Sequence, residues 1–155
     1  MALKVDDVDQ RLAVQDTCVS YALALDTRDW GWLRSLFLPA AVAEYGGELG
    51  SRQGYESIEA ACRAALLPLS SSQHLMGNHL VMVRGNDAEA VCYFQATHVR
   101  TGAPGGDIYT VAGRYDDHLV ADGDAWRIAR KVLTVMWTHG NQAVLLSGQD
   151  HPPKS

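Results

Sequence analysis

Two histidines, His74 and His79, stand five residues apart in the stretch "SSQHLMGNH". The chemistry open to such a pair is metal ligation or proton transfer. Zinc-binding histidines on a helix need i, i+4 spacing, whereas Gly77 interrupts this pair and no Cys-x-x-Cys occurs, so no metal is expected. No G-x-G-x-x-G opens a helix and no G-x-x-x-x-G-K-[ST] is present, which removes the usual phosphate cradles, and no cofactor is expected. Ser70, Ser71 and Ser72 lack a strand-turn-helix elbow and read as residues of a helix-ending loop rather than as nucleophiles. Proton transfer remains. An imidazole in an apolar interior is a poor general base unless something fixes its tautomer and stabilises the imidazolium it becomes. A carboxylate does both, and the upstream segment "LDTRDW" carries candidates.

The elements that would position these groups can be read from periodicity. Val8, Leu12, Val14, Val19, Ala22, Leu23 and Leu25 recur with a helical period and predict an amphipathic helix over residues 8 to 25, ending close to Asp26. Trp30, Leu33, Leu36 and Phe37 predict a short second helix that Pro39 ends, and "AVAEYGG" a short strand closing on glycine. Tyr55 to Leu67 has a third helical pattern, broken by Pro68 and three serines. Two β-rich pairs follow, turning at "RGND" and "ADGD" and separated by the flexible "GAPGG". Period-2 alternation puts Tyr109, Val111, Gly113 and Tyr115 on one strand face. Early helices followed by a four-strand antiparallel meander predict an α+β fold with the helices packed on one face of a curved sheet. Such a sheet makes a cone with an interior. Residues 1–155 read as a single domain, with about 140–155 an extended tail.

Bulk properties narrow the partners. The 155 residues are 47% hydrophobic and 20% charged, enough for one core with room for a pocket. A net charge of −5 from scattered acids leaves no basic face for a phosphate backbone, so nucleic acid is not expected. No apolar run of about 18 residues and no cleavable signal are visible, so no membrane partner and a cytoplasmic location are expected. Cys18, Cys62 and Cys92 are odd in number and lie among apolar neighbours, which suits reduced core thiols.

The order of elements, with "YALALDTRDWGWLRSLF", "AEYGG", "SSQHLMGN" and "GDAWRIARKVL" in succession, resembles the SnoaL-like group of the nuclear transport factor 2-like superfamily, also known for its cystatin-like fold. It is most similar to the scytalone dehydratase and hexachlorocyclohexane dehydrochlorinase branch. The resemblance spans roughly residues 10 to 138 and implies a cone-shaped sheet with N-terminal helices on its concave face. Enzymes of that branch have an aspartate after the first helix in a D-x-[KR]-[DQ] context and a histidine in [TS]-x-H-x-x-[GT]. The matching positions are Asp26 and His74.

The implied activity is a cofactor-independent lyase, a dehydratase acting on a small cyclic or polyketide-like carbonyl compound, with His74 as base and Asp26 orienting it. Tyr45 matches a tyrosine that polarises the substrate carbonyl, and His98 falls near a second active-site histidine. The same resemblance puts Tyr115 at a polar substrate-binding position, while Tyr21, Trp30, Met76 and Trp137 are candidate walls. Departures bear on the substrate. Leu25 replaces a tyrosine before the aspartate, Tyr115 an asparagine, and Tyr21 the dehydrochlorinase lysine, while Lys131 falls near its late arginine. Scytalone itself and halide expulsion both lose support.

Alternatives are a ketosteroid-isomerase-like isomerase, a polyketide cyclase, and a non-catalytic binding module of the kind found as a dioxygenase small subunit. An epoxide-hydrolase network would need Arg114, Asp116 and Asp117, which read instead as a solvated strand end. The outer face of a curved sheet needs covering, so a homo-oligomer, dimer or trimer, is expected.

Overall fold

The computed structural model describes residues 8–145. The chain opens with α1 (Val8–Thr27), α2 (Trp30–Ser35), β1 (Phe37–Glu44), β2 (Ser51–Gln53) and α3 (Tyr55–Leu66). Four long strands follow: β3 (Ser71–Arg84), β4 (Asp87–Val99), β5 (Ile108–Asp122) and β6 (Ala125–Gly140), then a 3-10 turn at Gln142–Val144. The architecture is α+β.

The helices differ from their sequence pattern in instructive ways. The buried stripe of α1 runs through Val14, Thr17, Cys18, Tyr21, Ala22, Ala24 and Leu25, while Val8, Leu12 and Leu23 are exposed. Three apolar residues therefore face water, while the inward stripe includes the partly polar Thr17, Cys18 and Tyr21. α2 is capped by Asp29, whose carboxylate accepts from Trp32 N at 2.9 Å, a cap of about 1 kcal/mol. It ends at Ser35 rather than at Pro39. Phe37 already opens β1, and Pro39 lies where the pairing of β1 with β6 skips from Phe37 to Val42, so its missing N–H breaks no ladder bond.

The six strands form one sheet in the order β2-β1-β6-β5-β4-β3. β1 runs parallel to β6, and every other neighbouring pair is antiparallel. The hairpins turn as expected, with Gly85 and Gly123 at φ 62° and 61° supplying the positive dihedral that short β-hairpins require. Register shifts between Gly77 and Leu80, Ala112 and Gly113, and His118 and Leu119 mark bulges that bend the long strands. The curled sheet wraps the helices, and Leu33, Ile58, Leu119 and Ile128 are wholly buried between the layers, each contributing about 1.5–3 kcal/mol.

Two expectations need correction. Ser71 and Ser72 are not loop residues but begin β3, because Ser71 pairs with Val99 and Ser72 with His98. Residues 141–145, assigned from sequence to an extended tail, pack back on the sheet with Val144 fully buried; 146–155 lie outside the described residues. No helix among the described residues is long and apolar enough to cross a membrane.

Candidate active site

Alternation along the sheet decides what the concave surface presents. One inward row crosses His74, Ala96, Val111 and Thr138, and the next crosses Met76, Phe94, Gly113 and Val135. Both rows end on exposed β6 residues, so the hollow opens to solvent at that end. The His74 side chain, at the β3 end of its row, is only 5% exposed.

Asp26 reaches His74 from the last turn of α1. The helix stops immediately beyond it in a Schellman motif: Arg28 N bonds Leu25 O at 3.1 Å, Asp29 N bonds Ala24 O at 3.0 Å, and Arg28 takes the left-handed φ of 58°. That stop aims the Asp26 carboxylate at the start of β3. Oδ1 accepts from His74 Nδ1 at 2.7 Å and from Ser72 Oγ at 3.0 Å, and Oδ2 from the His74 backbone N–H at 2.7 Å. Burial alone would raise the Asp26 carboxyl, but the donors of His74 and Ser72 outweigh it and hold it below the usual carboxylate range. An ionised acceptor at 2.7 Å requires the proton on His74 Nδ1. In the neutral imidazole Nε2 then carries the lone pair, and among the described residues it has no hydrogen-bond partner.

His98 lies beside this pair, its ring centroid 6.0 Å from that of His74 in an edge-on arrangement. Its Nδ1 donates to Tyr109 O at 3.2 Å. Burial first, and the neighbouring His74 second, push its pKa down to about 4, so it is neutral near pH 7. A neutral ring that donates through Nδ1 offers an acceptor at Nε2, not the proton that stabilising an oxyanion would need. Met76 is half-buried in the adjoining row. Trp30 is half-buried on the helical side, where the Arg63 guanidinium lies 4.6 Å from its ring centroid.

The tyrosines form a separate group deeper in the cone. The hydroxyls of Tyr21 and Tyr45 share a hydrogen bond at 3.2 Å, and Tyr45 Oη lies 3.6 Å from Cys62 Sγ. Both phenols are buried with their partners inside the core, so Tyr45 is engaged there rather than offered to the opening. Tyr115 stacks on Phe94 at 4.4 Å between centroids. Its inward orientation follows the alternation of β5.

Asp117, two residues further along that face, is no solvated strand end. It is buried, its Oδ2 accepts from Lys131 Nζ at 2.8 Å, and Lys131 is itself fully buried with Nζ 4.2 and 4.0 Å from the ring centroids of Tyr21 and Tyr115. The signal was present in the sequence, because extending the Tyr109–Tyr115 alternation by one step turns Asp117 inward. Arg114 and Asp116 pair with each other at 2.9 Å on the exposed side. Trp137 also departs from expectation: it pairs with Ala112 on the outer face shared with Leu75 and Gln95, and is half exposed. A bulge at Met136 shifts the register there, so Trp137 is no wall of the hollow.

Two surface cavities of about 640 and 780 Å³ are lined by other residues, and Asp26 and His74 border neither. Among the described residues no three His, Cys, Asp or Glu side chains converge as a metal site needs.

Comparison with known proteins agrees with this fold. An uncharacterized protein of Mycobacterium tuberculosis is 31% identical over 85% of this chain and 89% of its own length. A solved structure from Novosphingobium aromaticivorans, provisionally named a scytalone dehydratase, superposes with a TM-score of 0.79 at 18% identity, covering 87% of this chain and 89% of the other. A type 3 hexachlorocyclohexane dehydrochlorinase from Novosphingobium barchaimii gives a TM-score of 0.76 at 16% identity over 96% and 99% of the two chains. At these identities the two structures bear on the fold alone. The family described as SnoaL-like domain matches residues 6–132, which is most of the chain, and the protein belongs to that family.

Proposed function

We propose that the protein is a cofactor-independent lyase, a dehydratase acting on a small cyclic or polyketide-like carbonyl compound, with His74 as the general base and Asp26 as the anion that orients it. The observation carrying this reading is the asymmetry of the imidazole: Nδ1 is committed to Asp26 at 2.7 Å, while Nε2 has no hydrogen-bond partner among the described residues. In the reaction Nε2 takes the proton beside the substrate carbonyl. The C–H electron pair forms the new double bond as the β-hydroxyl leaves, and the proton held on His74 passes to that hydroxyl to release water. Ionised Asp26 stabilises the transient imidazolium.

The names of the two structural neighbours both denote eliminations, which supports this class over a passive binding module. Such a module has no use for an ionised carboxylate that commits Nδ1 of one imidazole at 2.7 Å and leaves the other nitrogen bare. The exposed outer-face residues Leu75, Tyr93, Ile108 and Trp137 suit the homo-oligomer that belongs to the same reading.

The test is a panel of cyclic hydroxy-ketones followed by the absorbance of the conjugated product, using wild type, His74→Ala and Asp26→Asn. Removing the base is expected to slow turnover by about 10² to 10⁴. Unchanged turnover in both variants retires the proposal.

A further inference from the structure

We propose that Arg28 and Ser72 are positioning residues: the Arg28 guanidinium, donating to Ser72 Oγ, turns the Ser72 hydroxyl proton onto Asp26 and thereby fixes which nitrogen of His74 stays bare. The inference rests on the functional reading above and deepens it, since each residue acts on His74 through Asp26.

The backbone first singles out Arg28. It occupies the left-handed position that ends α1, where glycine is the low-strain residue and a side chain carries a steric penalty. An arginine held there points to work for its side chain. That side chain bridges three elements: it donates to Leu25 O of α1 at 2.6 Å, to Leu66 O at the end of α3 at 3.1 Å, and to Ser72 Oγ at the start of β3 at 2.8 Å.

Hydrogen-bond polarity supplies the rest. A guanidinium only donates, so Ser72 Oγ must accept from Arg28, and its single proton is free for Asp26 Oδ1 at 3.0 Å. Asp26 then holds three donors on two oxygens: the Ser72 hydroxyl, the His74 backbone N–H and His74 Nδ1–H. With these three donors the carboxylate stays ionised and accepts from Nδ1, so in the neutral imidazole Nε2 keeps its lone pair. The charged and titratable groups around it are Arg28 at the helix end, His74 on β3 and His98 on β4, while α3 contributes only the Leu66 carbonyl. Without the Ser72 proton one lone pair of Oδ1 is unfilled. Without Arg28 the hydroxyl is free to rotate away.

The experiment is nitrogen-15 NMR of the histidine rings, with carbon-13 titration of the Asp26 carboxyl, on wild type, Ser72→Ala, Ser72→Thr and Arg28→Gly. Glycine at position 28 removes the guanidinium while suiting the left-handed backbone. Expected are a single Nδ1-protonated His74 tautomer in wild type and Ser72→Thr, and two tautomers with a higher Asp26 titration midpoint in Ser72→Ala and Arg28→Gly. Wild-type spectra in Ser72→Ala, or Ser72→Thr behaving like Ser72→Ala, overturns the proposal. A wild-type spectrum in Arg28→Gly overturns the part given to Arg28. Should Arg28→Gly not fold, the two Ser72 variants still decide. No substrate enters the measurement, so failure of the hydroxy-ketone panel would defeat the functional reading without touching this result.

Discussion

Replacing Lys131 by methionine isolates the electrostatics of the inner cone. The side chains are of similar length, so packing against Tyr21 and Tyr115 is largely kept while the ammonium is lost. Asp117 is then buried with the Cys18 thiol, 3.6 Å from Oδ2, as a weak donor, and among the described residues its Oδ1 already lacks a hydrogen-bond partner. Breaking a buried pair by removing one member costs about 3–5 kcal/mol, because the other charge is stranded. For a domain of this size that lowers Tm by roughly 6–20 °C. Adding Asp117→Leu removes the stranded charge and is expected to recover most of the loss, a coupling that a double-mutant cycle measures.

The penalty should also depend on pH. Burial raises the Asp117 carboxyl even with Lys131 present, and losing the cation raises it further. A carboxyl whose folded pKa lies above its unfolded one favours the fold at low pH, and that contribution is lost as pH rises through the folded value. The gap between Lys131→Met and wild type is therefore wider near pH 8 than near pH 5. Urea unfolding at both pH values reads it. A Lys131→Met protein within about 1 kcal/mol of wild type near neutral pH refutes the reasoning.

Two further outcomes follow from single residues. His98 is neutral in the fold down to about pH 4, whereas its ordinary value is 6.5, so the unfolded chain gains a proton first as pH falls. Stability drawn from this residue is full above pH 6.5 and lost towards pH 4, by at most about 3 kcal/mol, and His98→Gln should flatten that window in urea midpoints. An unaltered pH dependence contradicts the assignment. Gly113→Ala would put a Cβ 2.1 Å from Thr134 O and 3.1 Å from Phe94 Cε1. A backbone carbonyl cannot swing aside, so a loss of about 3 kcal/mol or more is expected; an unchanged thermal midpoint rules that out.

The long strands were legible because hairpin glycines and period-2 alternation are local signals, and the shared face of Tyr109 to Tyr115 was read from them, its inward direction coming from the family resemblance. The α1 stripe was not. Its buried side includes Thr17, Cys18 and Tyr21, so an apolar count selected Leu12 and Leu23, which tertiary packing leaves in water. Trp137 was misplaced because a bulge changes the register of β6 by one, which periodicity cannot foresee. Asp117 was misread by charge alone, since an acid near a turn is usually solvated and only the opposing Lys131 makes its burial tolerable. Asp26 and His74 were named through family resemblance. Their contact, like that of Arg28 with Ser72, joins residues more than forty positions apart and is visible only once α1 lies against β3.

The claim that His74 abstracts a proton is tested most directly by following deuterium exchange from solvent into the position beside the carbonyl of a cyclic hydroxy-ketone, by proton NMR. This reads the base whether or not elimination follows. Wild type should catalyse the exchange and His74→Ala should be slower by about 10² to 10⁴. Equal exchange rates in the two proteins would contradict the account.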